Sequence, residues 1–495
     1  MFARGGGVGV RRFLCRSYAS IGGCRSGSIL DVDGDLVVGV GVGCFDGGGV
    51  VVDGDLLRLD GVVGGQLSLL FRDKKFKGEA GTFADVVVGG VGGGRRLYFG
   101  GLGDRGGASI LKFGKLAGEW MLGRCIEGGV DLGFVGGGPT VEQARLCLSS
   151  VVGVTDLLKK DEEVVVHPVN FPEDVGVGCS VGLGVRLCRD LVNLPSNVVT
   201  PSYLAGVAED IASVDRRMSL SVFGEDECIK RGMGLFVGVS SGSEEEAKFI
   251  DLTFTPDEYD KTIAIVGKGV TFDSGGYNLK VGGGSLIELM KFDMGGAGAT
   301  LGAARAVSMF PELARNVKVH FIVAACENMI SGKATRPGDV LTASNGKTVE
   351  VGNTDAEGRL TLADAMVYAQ QVGAEEVVTI ATLTGACVVA LGDDIAGLLS
   401  NDDGLASRLS SGPEYVHRLP LFEGYKSQLE SKCADLSNVG VKKGGGAITA
   451  GLFLQNFVED GVKWGHLDIA GPVFDVTATG FGVHTLVHYL RGSSA

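Results

Sequence analysis

Three short segments concentrate acids and bases among glycines. VGKGVTFDSGGYNLK (266–280) carries Lys268, Asp273 and Lys280, and MKFDMGGAGAT (290–300) carries Asp293. NTDAEGRL (353–360) sets Asp355, Glu357 and Arg359 at alternate positions, with Gly358 between the last two. Two chemistries fit these acids. The first is local: Thr354 and Glu357 have the spacing of a capping box, and acids in a first turn complement the helix dipole. Capping accounts for one acid, at most two, and leaves Arg359 and the other acids over. The second is metal binding. Side chains at i and i+2 of an extended or turning segment share a face, so Asp355, Glu357 and Arg359 can line one wall. Four carboxylates converging in a dry cleft cannot all stay ionised unless cations neutralise them. Two divalent ions would do so, with two carboxylates bridging and Lys280 and Arg359 left to meet substrate charge.

Other chemistries have less support. The six histidines are His167, His320, His417, His466, His484 and His488; none lies in these segments, and no HExxH motif exists. GVSSG (238–242) has the spacing of a nucleophile elbow around Ser240, but the SEEEAKF after it is a poor start for the buried helix an elbow needs. NGKT (345–348) ends like a phosphate-binding loop, yet Leu341 stands where that loop requires glycine. Its Asn-Gly pair reads as a hairpin turn between DVLTAS and TVEVG.

Strand ends must hold the acids. TIAIVG (262–267), VKVHFIVAA (317–325), EVVTIATL (376–383) and HLDIAG (466–471) are apolar runs of buried-strand length, with ATLGAARAVSMF and LTLADAMVYAQQV as helical stretches between them. This alternation implies an α/β fold with a mostly parallel central sheet, helices on both faces and ligands at the carboxyl ends of the strands. Between about residues 31 and 155, stretches such as DLVVGVGV and RRLYFGGLG alternate with glycine clusters, and PTVEQARLCLSSVV reads as a helix. That pattern suggests a second, smaller α/β domain. LKKDEEVVVHPVNFPED (158–174), with Pro168 and Pro172, reads as a linker. The expected division is a basic tail over residues 1–27, the small α/β domain over 28–170 and the larger α/β domain over 171–495.

Composition narrows the classes. A chain of 495 residues is too long for one ordinary core. Hydrophobic (45%) and charged (21%) fractions are globular, and no uninterrupted apolar run reaches the length of a membrane span. The 84 glycines are more than twice the usual level of about 7%, which devalues glycine-only motifs. A net charge of −14 argues against nucleic acid as the main partner. Eleven cysteines without a CxxC pair read as scattered thiols of a reducing compartment. Arg4, Arg11, Arg12, Arg16 and Arg25 precede the first acid, Asp31, and RRFLCRSYAS has the character of an organelle transit peptide; a disordered basic tail is the alternative.

The segments VGKGVTFDSGGYNLK, MKFDMGGAGAT, NTDAEGRL and ATLTGA resemble the signatures of the leucyl aminopeptidases, the hexameric dimetal cytosolic aminopeptidase type. The resemblance continues through NLPSNVVTP, LPLFEGY, ADLSNVG, GAITAGLFL, HLDIAGP and TGFGVHTLV, from about residue 176 to the end. The N-terminal region resembles the family's macro-like α/β domain in layout alone. By this resemblance Asp273 and Glu357 bridge two metals, Asp355 completes the more exchangeable site, and Lys268 with Asp293 completes the tighter one. A lysine ligand must be a neutral amine, which requires two dications to depress its pKa. Zn²⁺ and/or Mn²⁺ are the implied ions, with Mg²⁺ or Co²⁺ as further candidates.

The implied catalytic pair is Lys280, stabilising the oxyanion, and Arg359, holding bicarbonate as general base for a two-metal activated hydroxide. A free α-amine can ligate an ion and an internal amide cannot, so only the first residue of a peptide is released. Met290, Thr382 and Gly385 are implied as the side-chain pocket, and Leu383 as a backbone contact. One methylene in such a pocket changes discrimination by about 1–3 kcal/mol, so a broad preference for leucine-like residues follows. VGGGSLIEL, between Lys280 and Asp293, is slightly longer than typical of the family. The implied assembly is a homohexamer acting on peptides, in the cytoplasm or, if the tail is a transit peptide, in a mitochondrial or plastid matrix. The alternative is a catalytically idle structural or chaperone-like member of the same fold, which is expected to have lost Lys280, Arg359 or a ligand; all seven positions stand. A DNA-binding accessory role is disfavoured by the charge.

Overall fold

The computed structural model describes residues 176–282, 284–442 and 444–493 and, before them, the backbone of strand segments between residues 36 and 168. The chain divides into two units, residues 1–182 and 183–495. In the first, β1 (Leu36–Gly41), β2 (Phe83–Val88), β3 (Arg95–Gly103), β4 (Gly128–Val135) and β5 (Val164–Pro168) form one sheet in the order β2-β3-β1-β4-β5. All run parallel except β2, which pairs antiparallel at one edge. β5 falls inside the stretch expected to be a linker. Its three consecutive valines favour a strand, and Pro168 is tolerated because it ends a strand at the sheet edge. The helix expected over PTVEQARLCLSSVV and the tail 1–27 lie outside the described residues.

The second unit is built on eight strands: β6 (Met218–Phe223), β7 (Lys248–Phe254), β8 (Lys261–Asp273), β9 (Val317–Asn328), β10 (Glu376–Ala381), β11 (Ala396–Ser400), β12 (Val416–Arg418) and β13 (Lys463–Asp468). Their order is β12-β11-β13-β10-β8-β9-β7-β6. The sheet is mixed. Parallel pairing holds across the centre, β13-β10-β8-β9, and between β11 and β12, whereas β11 meets β13, β9 meets β7 and β7 meets β6 antiparallel. The central strands are apolar along their length because helices cover both faces, and residues such as Ile263, Ile265, Phe321 and Val378 are fully buried.

Connectivity opens the site. Helix α1 (Gly295–Met309) carries the chain from β8 to β9, and α2 (Gly358–Gln371) carries it from β9 back past β8 to β10. Right-handed crossovers in opposite directions put the two helices on opposite faces and leave a crevice between β8 and β10, where the order reverses. The pairing agrees: β8 is bonded to β10 only over Ile263–Gly267 but runs on beside β9 to Asp273, so the strands part at Lys268. The four central strands end at one edge, with Asp468, Ala381, Asp273 and Asn328.

Part of the glycine excess serves this packing. A Cβ on Gly296 would lie 2.1 Å from the Ile380 carbonyl oxygen and 2.8 Å from the Lys268 nitrogen, so glycine lets α1 start directly against the sheet. Val340–Thr342 and Thr348–Glu350 form the hairpin expected around NGKT, with Gly346 at φ +86°. Among the described residues no helix is long and apolar enough to cross a membrane. The six described cysteines are free thiols.

Candidate metal centre

Each acid reaches the crevice from a defined element. Lys268 and Asp273 are on β8, Asp293 closes the turn Ile287–Phe292 two residues before α1, Asp355 lies in the turn before α2, and Glu357 is the residue that opens α2. Lys268 Nζ is 2.7 Å from Asp293 Oδ2 and 2.7 Å from Glu357 Oε1, and donates to the Thr382 carbonyl at 3.2 Å. Lys280 Nζ spans Asp273 Oδ2 (2.9 Å) and Asp355 Oδ1 (2.5 Å). Lys268, Asp273, Asp293 and Glu357 are all buried, while Asp355 is partly open.

The charges do not balance. Four carboxylates share two ammonium groups, and burial plus mutual repulsion decide their protonation. Burial, then Glu357, pushes Asp273 up to about 6 despite Lys280 and Lys268. Burial also drives Asp293 well above the usual carboxylate range and raises Asp355. Glu357 is held below its usual value: burial opposes this, but Lys268 and then Lys280 outweigh it. Lys268 shows the converse, since burial would lower it and Asp293, Glu357 and Asp273 together hold it above the ordinary lysine value.

Further positive charge therefore fits here. Ligand oxygens of Asp273, Asp293 and Glu357 lie within 4.8 Å of one another, compact enough for ions spaced by about 3.5–4 Å. Glu357 Oε2 is buried without a hydrogen-bond partner, and Asp293 Oδ2 and Asp355 Oδ1 face a lysine ammonium without an aligned hydrogen bond. Buried orphan carboxylate oxygens are costly, and oxygen-rich clusters of this kind suit divalent cations.

The capping reading does not survive. Glu357 makes no side-chain cap bond at the start of α2, and the Thr354 hydroxyl instead donates to the Gly275 carbonyl (2.7 Å) and accepts from Asn278 N (2.9 Å). Thr354 thus ties the turn carrying Asp355 to the loop after Asp273. Arg359 is buried and donates from Nη1 to the Asn438 carbonyl at 2.7 Å; burial pulls it down to about 10 against Glu357 and Asp468.

Three polar residues that motif reading did not single out complete the framework. Asn328, beside Asp273 at the end of β9, donates to Asp273 Oδ1 (2.7 Å) and to the Thr354 carbonyl (3.0 Å). Asp468, at the end of β13, accepts from Leu383 N (3.1 Å), Thr384 N (3.4 Å) and the Thr384 hydroxyl (2.7 Å). Asn438 holds the segment 352–356. Asn328 and Asp468 stand at parallel strand ends, and Asp468 and Asn438 fall inside HLDIAGP and ADLSNVG, two of the segments that carry the family resemblance; those were the available signals.

Of the substrate-pocket candidates, Thr382 is buried and donates to Asp293 Oδ1 at 2.8 Å. Leu383 and Gly385 follow it at the same edge, and Met290 is half-buried in the turn of Ile287–Phe292 just before Asp293. Ser240 is not on an elbow. It closes the short helix Gly234–Ser240 and donates to the Val237 carbonyl at 3.0 Å.

The catalytic-domain model of the cytosol aminopeptidase family matches residues 186–487. The chain belongs to the cytosol aminopeptidase family. A probable cytosol aminopeptidase of Acaryochloris marina is 42% identical over 492 residues, 93% of this chain and 98% of that relative. One from Nostoc punctiforme is 53% identical over 322 residues, 62% of this chain and 64% of the relative. A solved structure of a tomato leucine aminopeptidase mutant matches with a TM-score of 0.86 at 35% identity, covering 97% of each chain. Family and buried acid cluster together make this chain a metal-dependent exopeptidase.

Proposed function

We propose that this family member removes N-terminal amino acids from peptides, with leucine and other apolar residues preferred, using two divalent ions held by Lys268, Asp273, Asp293, Asp355 and Glu357. The observation that carries the reading is the convergence of four acids with two lysines in one crevice, where Glu357 Oε2 is left without a partner. Asp273 and Glu357 would bridge, Asp355 would serve the more exchangeable position, and Lys268 and Asp293 the tighter one. Lys268 must shed a proton to act as a ligand, which couples metal binding to proton release. When bound, the ions supply Lewis acidity toward the scissile carbonyl and a water acidic enough to attack at neutral pH.

The remaining steps belong to side chains. Lys280, partly open to solvent, offers a fixed cation to the oxyanion of the tetrahedral intermediate. Arg359 has no hydrogen bond among the described residues beyond Asn438, so its other N–H groups are left for an anion; a bicarbonate held there would supply the general base. Met290, Thr382 and Gly385 border the side-chain pocket. Leu383 has its N–H committed to Asp468, which leaves its carbonyl for the substrate.

Zn²⁺ and/or Mn²⁺ are the proposed ions, with Mg²⁺ or Co²⁺ as substitutes, and the assembly is a homohexamer. Residues 28–170 form a macro-like α/β domain, a reading supported by the mainly parallel five-stranded sheet, and residues 171–495 the catalytic domain. The arginine-rich tail 1–27 directs import into a mitochondrial or plastid matrix; a cytoplasmic location is the alternative. Leucine p-nitroanilide and its N-acetylated form test the chemistry, before and after chelation and on re-addition of Mn²⁺ or Zn²⁺. Hydrolysis of the free amine alone, lost to chelator and restored by metal, is expected. Chelator-resistant turnover, or none with either metal, would overturn the reading.

A further inference from the structure

Asn438 is remote in sequence from every acid of the centre, fully buried, and has every polar atom occupied. Its N–H donates to the Glu350 carbonyl at 3.0 Å. Its side-chain oxygen accepts from Gly352 N (2.9 Å) and Asn353 N (3.2 Å), while Nδ2 donates to the carbonyls of Asn353 (2.7 Å) and Ala356 (3.3 Å). Its own carbonyl takes the Arg359 guanidinium at 2.7 Å. These partners fix the amide orientation, because a flip would set oxygen against two carbonyls and nitrogen against two N–H groups.

We propose that Asn438 is a positioning residue for Arg359, locking the guanidinium to the turn that delivers Asp355 and Glu357; this rests on Arg359 as the anion-holding group. A carbonyl can hold one guanidinium N–H in a fixed direction only if its own residue cannot rotate. Here the side-chain amide supplies that lock, and it grips the same turn that bears the two acids. One residue thereby sets the separation between the anion site and the metal ligands. Aspartate has the same shape but cannot donate to the Asn353 and Ala356 carbonyls, and alanine makes none of the four bonds.

The test is Asn438→Asp and Asn438→Ser, each made in the wild type and in Arg359→Ala, with leucine p-nitroanilide kinetics and calorimetric titration by sodium bicarbonate. In the wild-type background kcat falls roughly 10–100-fold, the usual cost of losing an outer-shell partner, with KM little changed and bicarbonate binding weakened. In Arg359→Ala the same substitutions add little further loss. Equal losses in both backgrounds, or bicarbonate affinity unchanged in both variants, would overturn the role of Asn438. An Arg359→Ala enzyme with full activity, together with a wild type that binds no bicarbonate, would instead remove the Arg359 reading and this inference with it. Serine, smaller and able to donate, keeps the test open if the aspartate variant does not fold.

Discussion

Gly358, between Glu357 and Arg359, is required by its neighbour on β8. A Cβ there would lie 2.5 Å from Lys268 Cε and 2.7 Å from its Nζ. Lys268 cannot move aside, because Asp293, Glu357 and the Thr382 carbonyl hold its ammonium. Gly358→Ala is therefore expected to spare helix α2, since alanine is the better helix former, yet to expel Lys268 from the centre. Plasma emission spectrometry of the purified variant should find metal lost, and the metal-free protein should be destabilised as well, because Asp293 and Glu357 lose their buried counter-charge. Two ions retained per chain would show that Lys268 is not expelled or is not needed as a ligand, and would overturn this expectation. Lys280→Ala should behave differently: metal content is kept and kcat falls by about 10²–10³, the scale for losing one oxyanion-stabilising group. Metal loss in that variant would assign Lys280 to assembly of the centre.

At the level of elements, close approach of α1 to the sheet decides which glycines matter. Gly296→Ala places a methyl 2.1 Å from a strand carbonyl that has no freedom to retreat, so a loss of about 3 kcal/mol or more, or failure to fold, is expected. Gly206, in the helix Pro201–Ala212, has open space where a methyl would stand, with nothing within 4 Å. Gly206→Ala should instead stabilise by about 0.4–1 kcal/mol. Urea unfolding of the pair checks both signs; similar effects would show that α1 can shift on the sheet. The same contrast explains what was legible in the sequence. Continuous apolar runs announced β8, β9, β10 and β13 because strands buried on both faces need no alternation. The acids were legible because their chemistry demands those residue types at strand and helix ends. The edges of the sheet and β5 were not, since pairing direction depends on partners and not on composition. Nor were the roles of Asn328, Asn438 and Asp468, single polar residues defined by what they touch; Arg359 and Asn438 are 79 positions apart. The Thr354–Glu357 spacing satisfied a capping rule locally, and a tertiary partner, the Gly275 carbonyl, took the hydroxyl instead.

For the molecule as a whole, histidines that stay neutral in the core tie stability to pH. His466 lies on β13 beside Trp464, fully buried, with Nδ1 against the Thr379 hydroxyl at 2.9 Å and Nε2 without a partner. Burial, then the nearby Arg359 charge, pulls it down to about 3, and burial pulls His484 down to about 4. A depressed folded pKa means that the unfolded chain binds the proton first. The contribution is therefore complete above the unfolded value of about 6.5 and is lost as pH falls from there through the folded pKa. For His466 alone the loss reaches roughly 2 kcal/mol by pH 5. Other buried groups titrate in the same range, so the clean measurement is a difference. His466→Phe keeps an aromatic ring beside Trp464 and removes the titration, although it leaves the Thr379 hydroxyl without this partner. Its deficit relative to the wild type at pH 7.5 should shrink by about 2 kcal/mol at pH 5 in denaturant unfolding. A deficit independent of pH would mean that His466 can accept its proton inside the folded core, which the packing around its unpartnered nitrogen leaves no group to stabilise.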